Sequence, residues 1–123
     1  AILPECYDDK NPEVKFGIGL NFSLQKESRI ISLAVKVLFE QNEAPFIVLA
    51  VANHFAIEQS AWDSFCKKDG NFVINKGFST HLLVLTIGTL RGVLHCKTEN
   101  TDFNKFVLPT INATELIRED VVL

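Results

Sequence analysis

The sequence predicts an α+β fold in which an antiparallel β-sheet of three to four strands is followed by one long helix and a short C-terminal helix. Two observations carry this prediction. Apolar and polar residues alternate from residue 13 to residue 24 and again from 29 to 39, as they do in strands with one buried face. After residue 77 the apolar side chains instead recur every three or four positions, as they do in a helix. The 123 residues match the size of one domain, so residues 1–123 are predicted to form a single unit.

The sheet is predicted within residues 13–57. The first alternation ends at the polar break 25–28, and a second runs from Arg29 to Phe39. The third segment, 45–57, is apolar on both faces. Links this short favour antiparallel neighbours, because a parallel return needs a crossover of a dozen or more residues. Because the third strand needs cover on both faces, another subunit is expected to supply the second cover.

The remaining elements have weaker or shorter patterns. Residues 1–11 lack a clear period and are predicted to be mostly irregular. The long helix is predicted at residues 78–97, with apolar stripes on more than one side. A short helix is predicted at residues 113–119, where Asn112 can cap the N-terminus and Glu115 can bond back to it.

Composition argues against several functional classes. The formal net charge is −3 and no Lys or Arg cluster is present, so no nucleic-acid partner is expected. The longest uncharged runs are about 14 residues, shorter than the roughly 20 that a membrane-spanning helix needs, so no membrane insertion is expected. No secretory signal is recognised. Three widely spaced cysteines, Cys6, Cys66 and Cys96, indicate neither a disulfide framework nor a zinc site, and favour a reducing, cytoplasmic location.

No catalytic residue, metal site or cofactor is predicted. The sequence lacks the zinc-protease, nucleophile-elbow, phosphate-loop and dinucleotide-binding motifs. His81 and His95 would stand about 21 Å apart on one helix, too far to share a metal. His54 on an apolar strand and Cys66 beside two lysines have no recognisable partner in the sequence. The chain is therefore not expected to be an enzyme.

Aromatic residues concentrate where the sheet joins the long helix. Five of them lie between residues 55 and 78, and two more flank the exit from that helix: Phe55, Trp62, Phe65, Phe72, Phe78, Phe103 and Phe106. Exposed apolar patches mark binding sites when they are not oligomer contacts. Two interpretations stay open for each ring, because it can either cap the core or line a binding groove.

From residue 11 to residue 118 the order of elements resembles the SecB family of export chaperones. The resemblance rests on Pro12-Glu-Val14 opening a strand, on Phe55-Ala-Ile57 near the end of the third strand, and on Leu108-Pro-Thr-Ile-Asn112 before a terminal helix that contains Leu116. It implies a four-stranded antiparallel sheet with two helices on one side. It also implies a dimer of dimers with the long helices between the sheets.

The resemblance further implies that the protein holds unfolded or precursor polypeptides for export and has the Sec motor ATPase as a partner. The side chains expected to bind polypeptide are Phe55, Ile57, Trp62, Phe65, Phe106 and Leu108. Those expected at the oligomer interface are Leu83, Ile87, Gly88, Arg91 and Gly92. If its ring lines the groove, Trp62→Ala should weaken polypeptide binding without dissolving the oligomer.

Two departures from the family pattern leave alternatives open. Residues 1–11 are too few for the family's first strand and its connection. Residues 46–49, where the family places a docking carboxylate for the motor, carry none. A chaperone of an antitoxin, a plain interaction subunit, and a hot-dog-type enzyme or ligand carrier are the alternatives. Hot-dog folds place the long helix before most strands, whereas here the helix follows them.

Overall fold

The computed structural model describes residues 1–123. Its elements are β1 (Lys15–Gln25), β2 (Ile30–Gln41), β3 (Ala44–Ala56), α1 (Gln59–Phe65), β4 (Val73–Ile74), α2 (Lys76–Thr98), α3 (Ala113–Leu116) and β5 (Val121–Val122). Single turns of 3₁₀ helix lie at Pro4–Cys6 and Asp102–Lys105. The α+β class, the three-stranded antiparallel sheet and the long helix that follows it are confirmed.

The main sheet has the order β1-β2-β3, with all pairs antiparallel. β1 and β2 pair without interruption from Lys15↔Glu40 to Gln25↔Ile30. The link between β2 and β3 is only two residues, Asn42 and Glu43, both with positive φ. A tight turn of this kind matches the right-handed twist of the strands it joins, and Asn tolerates the conformation better than most residues.

One face of the sheet forms the core, and we call it the inner face. Its central row is the alternating set of β2, which is almost completely buried and consists of Ile31, Leu33, Val35, Val37 and Phe39. A register shift between Phe39 and Glu40 accompanies the burial of both Phe46 and Ile47 in β3. Such a β-bulge turns neighbouring side chains out of strict alternation.

Helix α2 covers the inner face over β2 and β3. The Asn75 side chain caps its N-terminus by accepting a hydrogen bond from the Phe78 amide at 2.8 Å. Hydroxyls on its buried side bond within the helix, as Thr86 does to the Leu82 carbonyl at 2.9 Å. By length and composition α2 is the one helix that could cross a membrane, but here its apolar side packs against the sheet. It begins two residues earlier and ends one residue later than predicted.

The N-terminal segment is more ordered than expected. The Leu3 amide donates to the Phe46 carbonyl at 2.8 Å, and the Val48 amide donates to the Ala1 carbonyl at 2.9 Å. Residues 1–3 therefore cover part of the free edge of β3. The buried Gln41 carboxamide fixes residues 8–11, because its Oε1 accepts a hydrogen bond from the Asp8 amide and its Nε2 donates to the carbonyls of Asp8 and Asn11. No periodic pattern predicts these contacts, because they are made by single residues.

The C-terminal segment departs from the predicted helix at 113–119. Helix α3 ends at Leu116, and the chain becomes extended at Ile117, with φ −116° and ψ 98°. This extension lets β5 reach β4, with which it forms a separate two-stranded sheet. Pairing with a distant segment thus replaces the last turn of the predicted helix.

The opposite, outer face of the main sheet carries no other element of this chain. In β3 only Val48 on this face is half-buried, and the other residues are exposed: Ala50, Ala52, His54 and Ala56. The expectation that a second subunit covers this face stays a prediction.

Candidate functional site

The six side chains predicted to bind polypeptide differ in burial. Ile57, Trp62, Phe65 and Leu108 are buried, with Trp62 only 6% exposed. Phe55 and Phe106 are partly exposed. Only these last two offer surface to a bound polypeptide in this fold.

The rings that follow β3 pack against one another. Trp62 lies 4.6 Å from Phe72 between ring centroids, and Phe65 lies 5.7 Å from Phe72 and 5.1 Å from Phe78. Separations of this size are typical of stabilising aromatic pairs. Of the two interpretations left open for these rings, the structure places Trp62, Phe65 and Phe72 in the core.

A second aromatic cluster surrounds Phe106. Its centroid lies 5.1 Å from that of Phe46, 5.6 Å from Tyr7 and 5.7 Å from Phe39. The Lys105 ammonium lies 5.4 Å from the Tyr7 centroid, and the Tyr7 side chain raises the pKa of Lys105, first through a hydrogen bond and then through charge. Tyr7 was not among the predicted site residues, since nothing in the sequence connects it with residues 39–106.

The two aromatic clusters lie at opposite ends of the main sheet. Phe55 pairs with Ile31, whereas Ile47, next to Phe46, pairs with Phe39. The two pairs lie eight positions apart along β2, which is about 27 Å at roughly 3.4 Å per residue. The predicted residues therefore do not converge on one spot.

A cleft forms instead along the inner face of β1. Helix α2 packs over β2 and β3, and it leaves the alternating apolar set of β1 only half-buried: Phe16, Ile18, Leu20, Phe22 and Leu24. Residues 116–121 form the opposite wall. The space between them, the β1 cleft, measures about 440 Å³ and is lined by Leu20, Phe22, Leu116, Ile117, Arg118, Glu119 and Val121.

Two contacts with α2 hold the segment that leads to and includes the far wall of the β1 cleft. Arg91 on α2 donates hydrogen bonds to the carbonyls of Leu108 and Pro109 at 2.8 and 3.5 Å. Further along, the Lys76 amide donates to the Asp120 carboxylate at 2.8 Å. The segment that leaves α2 is therefore tied back along the same helix. The alternation of apolar and polar residues predicts β1 as a strand. No pattern in the sequence predicts that α2 leaves this strand uncovered.

The five residues predicted at an oligomer interface also separate by position. Leu83 is fully buried and Ile87 is 7% exposed, because both face the sheet of their own chain. Gly88 and Gly92 lie on the exposed side of α2, where a Cβ atom would meet open space. Arg91 is exposed, but its guanidinium donates hydrogen bonds to the Leu108 and Pro109 carbonyls of its own chain. Of the five predicted interface residues, only Gly88 and Gly92 therefore remain available to a partner in this fold.

One pair of side chains on the outer face has the chemistry of a nucleophile and a base. Ser32 Oγ lies 2.6 Å from His54 Nδ1. No other hydrogen bond joins His54 to a side chain, and no group of three His, Cys, Asp or Glu side chains could hold a metal. The pair therefore lacks an acidic residue that would orient the imidazole.

Comparison with known protein families, with characterised proteins and with solved structures found no match. The fold and its cleft define an α+β chain in which an edge strand keeps part of its apolar face uncovered.

Proposed function

We propose that the protein is a molecular chaperone of the holding type, which binds unfolded or precursor polypeptides and catalyses no reaction. The β1 cleft is the observation that carries this proposal. It joins a half-buried row of apolar side chains to a wall that includes Leu116, which is 39% exposed. A site of this composition binds by burying apolar surface, at about 25 cal/mol per Å².

The lining favours binding of many sequences over one. Its two charged residues, Arg118 and Glu119, carry opposite charges, so the cleft selects neither acidic nor basic segments. Its other five residues are aliphatic or aromatic and offer no side-chain hydrogen bonds. A holding chaperone needs to bind many different polypeptide sequences, and this lining allows it to do so.

A homo-oligomer, a cytoplasmic location and a role in export through the Sec motor belong to the same proposal. The exposed side of α2 supports self-association, because Val84 and Leu85 are 53% and 46% exposed beside Gly88 and Gly92. Small residues of this kind let two helices approach closely. Protection of an antitoxin is the alternative task for the same cleft.

A hot-dog-type enzyme or ligand carrier is the alternative from another class. The element order does not favour it, since α2 follows all three long strands. A small-ligand function would also call for a more enclosed pocket with a few convergent polar groups. The β1 cleft is a shallow groove that is wide open to solvent, and it has only two polar residues in its lining.

The test is suppression of aggregation of a chemically unfolded client protein, followed by light scattering. Leu116→Ser should weaken suppression, because it puts a hydroxyl on the cleft wall. Val122→Ser is the matched control, since Val122 is 61% exposed but lies outside the cleft lining. Failure of the unaltered protein to suppress aggregation or to bind any unfolded chain would contradict the proposal.

A further inference from the structure

The edge of β1 that points away from β2 has no hydrogen-bonding partner in this chain. β1 is the terminal strand of the main sheet and pairs only with β2. None of the backbone hydrogen bonds outside the regular elements, and none of the side-chain bonds, involves residues 15–25. In an antiparallel pair every second residue points its N–H and C=O away from the neighbour. β1 therefore presents a row of free donors and acceptors over its eleven residues.

This edge also lacks the features that usually prevent strand pairing. Residues 16–24 include no charged residue and no proline, and their pairing with β2 shows no bulge. The opposite edge of the sheet differs, because β3 contains Pro45 and is partly covered by residues 1–3. Long, uncharged and regular edges are the ones that accept another strand.

The free edge and the β1 cleft lie on the same strand. A strand added at this edge continues the pleat of the sheet, so its alternate side chains fall on the inner face beside those of β1. There they extend the apolar row that Leu20 and Phe22 contribute to the cleft. The intervening side chains fall on the outer face, next to Gly19, Asn21 and Ser23.

We propose that β1 binds its client by β-strand addition, taking an extended, uncharged segment of a non-native polypeptide with apolar side chains at every second position. This inference rests on the proposed function and specifies which segments the chaperone recognises. Backbone hydrogen bonds supply binding that is independent of sequence, and the alternating face supplies the selection.

The dimensions of the edge favour a transient client over a second copy of the chain. Eleven residues at roughly 3.4 Å, with a strand spacing of about 4.8 Å, give an edge of about 180 Å². A stable protein interface buries about 800 Å² on each partner. The edge alone is therefore too small for a permanent dimer, but it suits the reversible capture of a short segment. The absence of charge on residues 16–24 matches an uncharged occupant.

The probe is a fluorescent nine-residue peptide with Leu at every second position and Ser or Thr between them. A control peptide has the same composition with its leucines grouped together. Two further versions of the alternating peptide carry N-methyl groups on every second amide, and they differ in phase by one residue. Because an added strand uses the amides of one edge only, one phase should bind at least about tenfold more weakly and the other should bind normally.

Variants of the protein supply a second readout. Gly19→Lys combined with Asn21→Lys places two charges on the β1 edge, and no atom lies within 4 Å of a Cβ atom at Gly19. Ala50→Lys combined with Ala52→Lys adds the same charge to exposed positions on β3. The first pair should weaken binding of the alternating peptide about tenfold, and the second pair should leave it unchanged. If the protein with the first pair of substitutions fails to fold, the N-methyl peptides still test the proposal on the unaltered protein.

Each outcome decides the proposal. A phase-dependent loss together with protection of the β1 amides from hydrogen exchange supports strand addition. Equal binding of both N-methyl phases overturns strand addition while leaving polypeptide binding intact, because the peptide is then held through its side chains. Binding of an unfolded client without binding of the alternating peptide also overturns strand addition. The free protein could instead form a dimer that the Gly19→Lys, Asn21→Lys double variant dissociates. That result assigns the edge to a second copy and overturns the proposed occupant. If the unaltered protein binds neither the peptide nor an unfolded client, the proposed function itself is contradicted.

Discussion

Replacing Trp62 by alanine should unfold the protein at a much lower temperature. The indole is 6% exposed and its ring lies 4.6 Å from that of Phe72, so the substitution leaves a cavity between α1 and Phe72. Removing a buried Trp costs about 3–5 kcal/mol. This is a large share of the roughly 5–15 kcal/mol that stabilises a typical domain. At about 4 °C per kcal/mol for a chain of this size, the melting temperature should fall by about 12–20 °C.

The assay is thermal unfolding followed by circular dichroism, since Trp62 is the only tryptophan and its fluorescence is lost in the variant. Leu116→Ala is the matched comparison, because Leu116 is 39% exposed and lies on the cleft wall. It should lower the unfolding free energy by about 1 kcal/mol and weaken polypeptide holding. A Trp62→Ala protein that melts within about 2 °C of the unaltered protein would refute the packing described for α1.

Three further substitutions test separate parts of the structure. Gln41→Ala should cost about 1–3 kcal/mol and expose the N-terminal segment to proteolysis, because three hydrogen bonds from one buried carboxamide hold it; unchanged proteolysis would contradict this role. Tyr7→Phe should lower the pKa of Lys105 in an NMR titration, since Tyr7 keeps the ammonium protonated to higher pH and that interaction is lost as the pH rises through the raised value. Gly70→Ala should destabilise by about 1 kcal/mol in a denaturant titration because φ is +88° there, whereas Gly19→Ala should be nearly neutral.

The parts of the fold that follow from periodicity could be read from the sequence. Alternation in residues 13–39 predicts two strands, and the spacing of Leu83, Ile87, Leu90 and Leu94 predicts the buried stripe of α2. These patterns identify which side of an element is apolar. They do not identify what covers it, and this is why Leu83 and Ile87 were expected at an interface with another chain when they face their own sheet.

The site could be predicted only in part, for a related reason. The aromatic residues between 55 and 78 indicated either a groove or a core, and burial of Trp62 and Phe65 depends on contacts with Phe72 and Phe78 that have no periodic signature. The β1 cleft arises from the position of β1 at the edge and from the course of residues 106–121. Neither property is encoded locally, since both depend on contacts between segments that are distant in the sequence.

Hydrogen exchange of the protein with and without a chemically unfolded client is the most direct test of polypeptide binding at the β1 cleft. We expect the client to slow exchange in residues 15–25 and 116–121, which form the edge and the two walls of the cleft. Exchange in β3 should be unchanged. Binding of the client with protection confined to other parts of the chain, such as the exposed side of α2, would contradict the location of the site, and no binding at all would contradict the proposed function.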